Sequence, residues 1–149
     1  MLYLIYNISY ALLSYPAGRI SDKVGRKRVL VAGYAIYALV YFGFAQATNL
    51  TYIGGLFAVY GVYSALTEGV QTALLVDIAP VHLRGRVIGL HAALVGLALL
   101  PASLLDGFLW ELIGPQATFY FGSGMGLLAA IGLLFILRDK RLAIPGNTT

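Results

Sequence analysis

Long apolar stretches alternate with short polar segments along this chain, a pattern that predicts membrane-spanning helices. The predicted spans cover residues 2–17, 29–47, 52–79, 87–109 and 116–137. A helix needs about 20 mainly apolar residues to cross about 30 Å of hydrocarbon. The last four stretches reach or nearly reach that length, whereas the first is short. We therefore predict one bundle of five helices over residues 1–142, followed by a short tail over residues 143–149.

Composition supports an all-α membrane protein. Hydrophobic residues make up 60% of the chain and charged residues 11%, whereas soluble domains carry about 25% charged residues. The chain has no cysteine, which excludes disulfides and cysteine-ligated metal sites. A membrane enzyme would need clustered ligands, or a nucleophile with a base at one depth in the membrane, and the sequence has no histidine or cysteine cluster. We therefore expect no metal, no cofactor and no enzymatic activity.

Basic residues occur at every second gap between the predicted spans. Residues 18–28, 80–86 and 138–141 are rich in arginine and lysine, whereas residues 46–51 and 110–115 contain none. Short basic loops stay on the cytoplasmic side of a membrane. The pattern predicts a multi-pass protein of the cell membrane, with its N-terminus outside and its C-terminus in the cytoplasm. These loops also explain the net charge of +4, which we do not interpret as affinity for nucleic acid.

Two predicted spans carry polar side chains at helical spacing. The third span contains Tyr60, Ser64, Thr67 and Gln71. The first span repeats the spacing with Tyr3, Asn7, Tyr10 and Ser14. Such faces avoid lipid, so they point into a bundle or line a water-filled cavity. The second and fifth spans lack ionisable groups in their interiors, which fits a peripheral position.

Glu68 lies near the middle of the third span, and two interpretations are open. An ionisable group at that depth is costly and often marks a substrate or proton site; the alternative is a structural hydrogen bond to a neighbouring helix. His91 lies about a turn inside the fourth span, where a lone histidine is more typical of a helix-to-helix hydrogen bond than of a proton carrier. Gly122, Gly126 and Ala130 form a ridge of small residues on the fifth span, for which ordinary helix packing is the expected use.

The first basic loop contains an ordered motif, G-x-x-x-D-[RK]-x-G-R-[RK]. Gly18, Asp22, Gly25 and Arg26 occupy its key positions, and Arg28 completes a basic cluster. Glycines permit a tight turn, and an aspartate can pair with an arginine. This motif resembles the signature loop of the major facilitator superfamily, which joins two spans on the cytoplasmic side.

A second stretch strengthens the resemblance. Asp77, Pro80, Arg84 and Gly85 match an acid-x-x-Pro-x-x-x-Arg-Gly pattern of the same family. Members of the family have 12 spans in two similar halves, and the signature loop can follow span two or span eight. Three spans follow the helix that leads out of the loop here, so the chain resembles spans eight to twelve, an incomplete C-terminal half-bundle.

The resemblance implies part of a secondary transporter that moves a small solute by alternating access and is ion-coupled. Its expected partners are membrane lipid, a small-molecule substrate and the missing N-terminal spans. We expect a conformational latch at Gly18, Asp22, Gly25, Arg26, Arg28, Asp77 and Arg84. The expected substrate or proton pathway contains Asn7, Tyr10, Ser64, Glu68 and Gln71. The alternative is a small helical membrane scaffold or regulatory subunit without transport activity of its own.

Overall fold

The computed structural model describes residues 1–139, and all of its regular elements are helical in that range. The helices are α1 (Leu2–Val24), α2 (Arg26–Ala45), α3 (Leu50–Ile78), α4 (Arg84–Leu112) and α5 (Pro115–Asp139), with a single 3-10 turn at Val81–Leu83. This confirms the all-α fold with five long helices. The predicted C-terminal tail over residues 143–149 and the basic residues 140 and 141 lie outside the described residues.

Four of the described helices are long and apolar enough to cross a membrane. These segments are Arg26–Ala45, Leu50–Ile78, Val81–Leu112 and Pro115–Phe135. Helix α1 has 23 residues, but tyrosines and polar residues are interspersed along its length and make it less apolar. It continues past the predicted end at Ala17 to Val24, so most of the motif between the first two predicted spans is helical.

Helix α2 lies at the centre of the bundle. It packs against α3 on one side and α5 on the other, and α1 packs along α3. Its buried residues are Val29, Leu30, Gly33, Ala38, Val40, Gly43 and Ala45. The expectation that the second span is peripheral is therefore wrong. A span without ionisable groups suits an apolar environment, but neighbouring helices supply that environment as well as lipid does.

Helix α4 is the peripheral element of the described chain. None of its residues is buried, and its contacts with α3 and α5 are sparse. Pro101 lies inside the helix, in a stretch where every residue from 92 to 108 is exposed. The rest of the bundle is therefore held together mainly by the packing of α1, α2, α3 and α5.

Two tyrosine rings of α2 pack onto the small-residue ridge of α5. A Cβ atom placed on Gly126 would lie 2.5 Å from Cδ1 of Tyr37, and one on Gly122 would lie 2.5 Å from Cδ1 of Tyr41. The neighbouring Ser123 Oγ donates a hydrogen bond of 2.7 Å to the carbonyl oxygen of Ala38. The ridge is thus used for helix packing within the chain.

Replacing Gly126 by alanine tests this packing. The added methyl group would collide with the Tyr37 ring, and overpacking of a filled interior costs about 1–3 kcal/mol. Gly126→Ala should therefore lower the unfolding midpoint of the detergent-solubilised chain. Gly124→Ala is the matched control because a Cβ there meets nothing within 4 Å. Equal midpoints for the two variants would show that the ridge does not hold α5 against α2.

Candidate functional site

Arg26 joins three helices at one end of the bundle. Its Nε atom lies 3.0 Å from Oδ2 of Asp77, at the end of α3. Its Nη2 atom lies 3.5 Å from Oδ1 of Asp22, in the last turns of α1. Arg26 itself is the first residue of α2. One guanidinium thus bridges two carboxylates that belong to the preceding helix, α1, and the following helix, α3.

The backbone at Gly25 positions this arginine. Gly25 has a φ of 100° and is the single residue between α1 and α2. Glycine adopts that conformation without the steric cost of a Cβ atom. Its N–H donates to the carbonyl oxygen of Ser21 at 3.0 Å, which closes α1. Gly18 lies inside α1, and a Cβ there would meet nothing within 4 Å; the turn of the motif is made at Gly25 alone.

The other two arginines of the expected latch are placed differently. Arg28 is exposed on the first turn of α2, and Arg84 is exposed at the start of α4. Neither makes an ion pair with any described residue. The charged contact therefore consists of Asp22, Arg26 and Asp77.

The ion pairs of Arg26 are open to the surroundings. The side chains of Asp22 and Asp77 are 66% and 52% exposed, and that of Arg26 is 23% exposed. Exposed ion pairs contribute about 0–1 kcal/mol each. A contact of this strength orders the helix ends, and it can break at little cost.

The polar face of α3 lies against two different helices. Ser64 accepts a hydrogen bond of 3.1 Å from the hydroxyl of Tyr6 on α1. Gln71 donates one of 2.5 Å from Nε2 to the hydroxyl of Tyr34 on α2. Thr67, which lies between them and is 1% exposed, donates to the carbonyl oxygen of Tyr63 in its own helix at 2.9 Å. The stripe thus holds α1 and α2 against α3.

Glu68 lies beside this stripe and is exposed in the described chain. The side chain of Tyr10 on α1 is a neighbour of Glu68, but no hydrogen bond joins the two in the described chain. Asn7, one turn earlier on α1, donates from Nδ2 to the carbonyl oxygen of Tyr3 at 2.6 Å. Tyr10 and Glu68 are thus two polar side chains along the open edge between α1 and α3.

A cluster of tyrosines lies between α2 and α3. The ring centroids of Tyr37 and Tyr63 are 4.9 Å apart, and those of Tyr60 and Tyr63 are 5.4 Å apart. Tyr34, Tyr37 and Tyr41 follow one another at helical spacing on α2, and their partners on α3 come from a distant part of the sequence. Beside the cluster is a cavity of about 460 Å³ lined by Tyr41, Phe44, Ala45, Ala47, Ile53, Phe57, Tyr60, Pro115, Gln116 and Phe119.

These helices and their polar contacts define a multi-pass helical membrane protein. The family model described as Major Facilitator Superfamily matches residues 1–148, and the chain belongs to this family. It is 44% identical over 135 residues to the uncharacterized MFS-type transporter MJ1317 of Methanocaldococcus jannaschii, covering 91% of this chain and 34% of that protein. It is 24% identical over 136 residues to the quinolone resistance protein NorA of Staphylococcus aureus (strain Mu50), covering 91% of this chain and 35% of NorA. The chain thus spans about a third of the length of these relatives.

Replacing Arg26 should loosen the junction of α1, α2 and α3. Because the chain has no cysteine, Val24→Cys and Ile78→Cys allow two spin labels at the exposed ends of α1 and α3. We expect Arg26→Gln to broaden the distance distribution between the labels and to lower the free energy of unfolding by about 1 kcal/mol or less. Lys27→Gln removes the same charge one residue away and should leave the distances unchanged. Identical distributions for both variants would contradict a bridging role for Arg26.

Proposed function

We propose that the chain is the C-terminal part of an ion-coupled secondary transporter that moves a small solute by alternating access. The observation that carries this proposal is the Arg26 bridge, which ties three helix ends together at one face of the bundle. Membership of the family and the relative named as an MFS-type transporter support a transporter over a scaffold or regulatory subunit. In transporters built from two halves, substrate binds near the midplane between them. This chain supplies one wall of that site, and the preceding spans supply the other.

The proposed latch is centred on Arg26, Asp22 and Asp77. Its ion pairs hold the cytoplasmic ends of α1, α2 and α3 together in the outward-facing state, and their rupture opens that end. The geometry suits a switch because each exposed pair contributes little, while loss of one partner leaves a charge without its counter-charge. Arg28 and Arg84 belong to the same basic face, and we propose that they pair only in another conformational state.

The proposed pathway runs along the edge between α1 and α3. Asn7 and Tyr10 supply polar groups from α1, and Ser64 and Glu68 supply them from α3. Gln71, one turn further along α3, continues the proposed pathway toward α2, where it bonds to Tyr34. An exposed carboxylate in the middle of an apolar helix is costly in hydrocarbon. It is therefore expected to face the aqueous cavity between the two halves. We propose that Glu68 carries the coupling proton, with Tyr10 as its neighbour on α1.

The proposed orientation follows the basic residues. Lipid of the cell membrane surrounds the bundle, and the end that carries Arg26, Asp77 and Arg84 faces the cytoplasm. Short basic segments are retained on that side. The N-terminus of α1 and the turn between α2 and α3 then lie outside.

Glu68→Gln tests the coupling in the complete transporter. Membrane vesicles are assayed with a panel of labelled amines, sugars and organic anions, with and without a proton gradient. We expect the gradient to drive transport of at least one class, and Glu68→Gln to remove that dependence by keeping the side chain neutral. Glu111→Gln is the matched control, because Glu111 is an exposed acid at the far end of α4. Gradient-driven transport that survives in Glu68→Gln would show that Glu68 is structural.

A further inference from the structure

A second cavity lies where α4 meets the rest of the bundle. Val87, His91 and Leu109 are the residues of α4 that are partly shielded, and His91 lies on the side facing the other helices. The cavity measures about 260 Å³ and receives side chains from α2, α3, α4 and α5. Neither Tyr10 nor Glu68 lines it, and Gln71 is the one residue that it shares with the proposed pathway.

The walls of this cavity combine an apolar body with one polar corner. The apolar lining consists of Leu30, Leu74, Leu75, Ala129 and Leu133. The polar lining consists of Tyr34, Gln71 and His91. No aspartate, glutamate, lysine or arginine lines the cavity, so its chemistry favours a neutral occupant. A mostly apolar pocket with a few polar groups is the usual form of a small-molecule site.

Hydrogen bonding in the polar corner is incomplete. The Nε2 atom of Gln71 donates a hydrogen bond to the hydroxyl oxygen of Tyr34. The hydroxyl proton of Tyr34 and the side-chain oxygen of Gln71, Oε1, therefore remain available. Neither group makes a further side-chain hydrogen bond to a described residue, and the His91 imidazole makes none. The expected helix-to-helix hydrogen bond of His91 is thus not found within the described part of the chain. A polar group in apolar surroundings requires a partner.

A hydroxyl group complements this corner. It can accept a hydrogen bond from the Tyr34 hydroxyl and donate one to the Gln71 carbonyl oxygen or to His91. Drug-sized ligands occupy pockets of about 300–1,000 Å³, so a cavity of 260 Å³ suits a smaller molecule. We propose that this cavity binds a small neutral amphiphile, a single apolar ring or branched chain that carries one hydroxyl group.

The site is tested with a matched pair of probes, 4-fluorophenol and 4-fluorotoluene. The two have nearly the same shape, but only the first carries a hydroxyl group. Fluorine NMR on the chain in lipid nanodiscs measures saturable binding above partition into lipid. We expect 4-fluorophenol to bind saturably and at least about tenfold more tightly than 4-fluorotoluene, as two hydrogen bonds would provide.

Two kinds of variant locate the binding. Tyr34→Phe and Gln71→Leu should each weaken 4-fluorophenol binding about five- to tenfold by removing one hydrogen-bonding group, and they should leave 4-fluorotoluene unaffected. Tyr15→Phe, at an exposed position on α1, is the control and should change neither probe.

Chemical modification of histidine locates the bound probe independently of the variants. The chain has two histidines, and His82 is exposed in the 3-10 turn. Bound 4-fluorophenol should slow the reaction of diethyl pyrocarbonate with His91 but not with His82, as read by peptide mass spectrometry. Three results would overturn the proposal. They are equal binding of the two probes, unchanged 4-fluorophenol binding in both Tyr34→Phe and Gln71→Leu, and equal protection of the two histidines. None of these measurements depends on transport, so the result is independent of the proposed function.

Discussion

The surrounding hydrocarbon imposes the constraint on which the rest of this structure depends. Polar groups in a membrane-spanning helix must find partners within the protein or in an aqueous cavity. The fully buried side chains meet this requirement, because none of their nitrogen or oxygen atoms among the described residues lacks a hydrogen-bond partner. The contacts of Tyr6 with Ser64 and of Gln71 with Tyr34 meet it between helices. The same contacts therefore satisfy polar groups and fix which helices are neighbours.

Tyrosine and glycine residues make the packed faces of α2 and α5 complementary in shape. Helices in lipid associate through close packing, since burial of apolar surface gains little when the solvent is itself apolar. Gly122 and Gly126 leave space on α5 for the rings of Tyr41 and Tyr37. Those rings also contact the tyrosines of α3. Helix α2 is thus held on both sides, which explains why it is the most deeply buried span.

The sequence predicted the helices because their signal is strong and local. Long apolar runs and alternating basic segments need no knowledge of tertiary contacts, and the motif around Arg26 indicated both the family and the bridging arginine. The continuation of α1 to Val24 was missed because the charged motif that begins at Gly18 was interpreted as a loop, yet a helix tolerates one glycine and charged residues near its end. The central position of α2 was missed because an apolar face does not reveal whether it contacts lipid or protein.

The two cavities could not be predicted from the sequence, for a related reason. Each is lined from helices that are distant in sequence, and only the packing of the chain brings them together. His91 is the clearest example. Its depth in α4 was evident from the sequence, but its position beside Tyr34 and Gln71 depends on how α4 meets α2 and α3. Local sequence patterns thus predict the helices and the individual polar residues that are costly to place in a membrane. Sites to which several helices contribute can be recognised only from the three-dimensional arrangement.

The account rests on lipid as the solvent, with the basic helix ends on one side of the membrane. Single cysteines at Asn49 and Val81 test this directly, because the chain has no other thiol. Asn49 caps the start of α3, and Val81 follows its end. In intact cells, a membrane-impermeant maleimide should label Asn49→Cys at once and Val81→Cys only after the membrane is permeabilised. Labelling of both positions from the same side of an intact membrane would contradict the account.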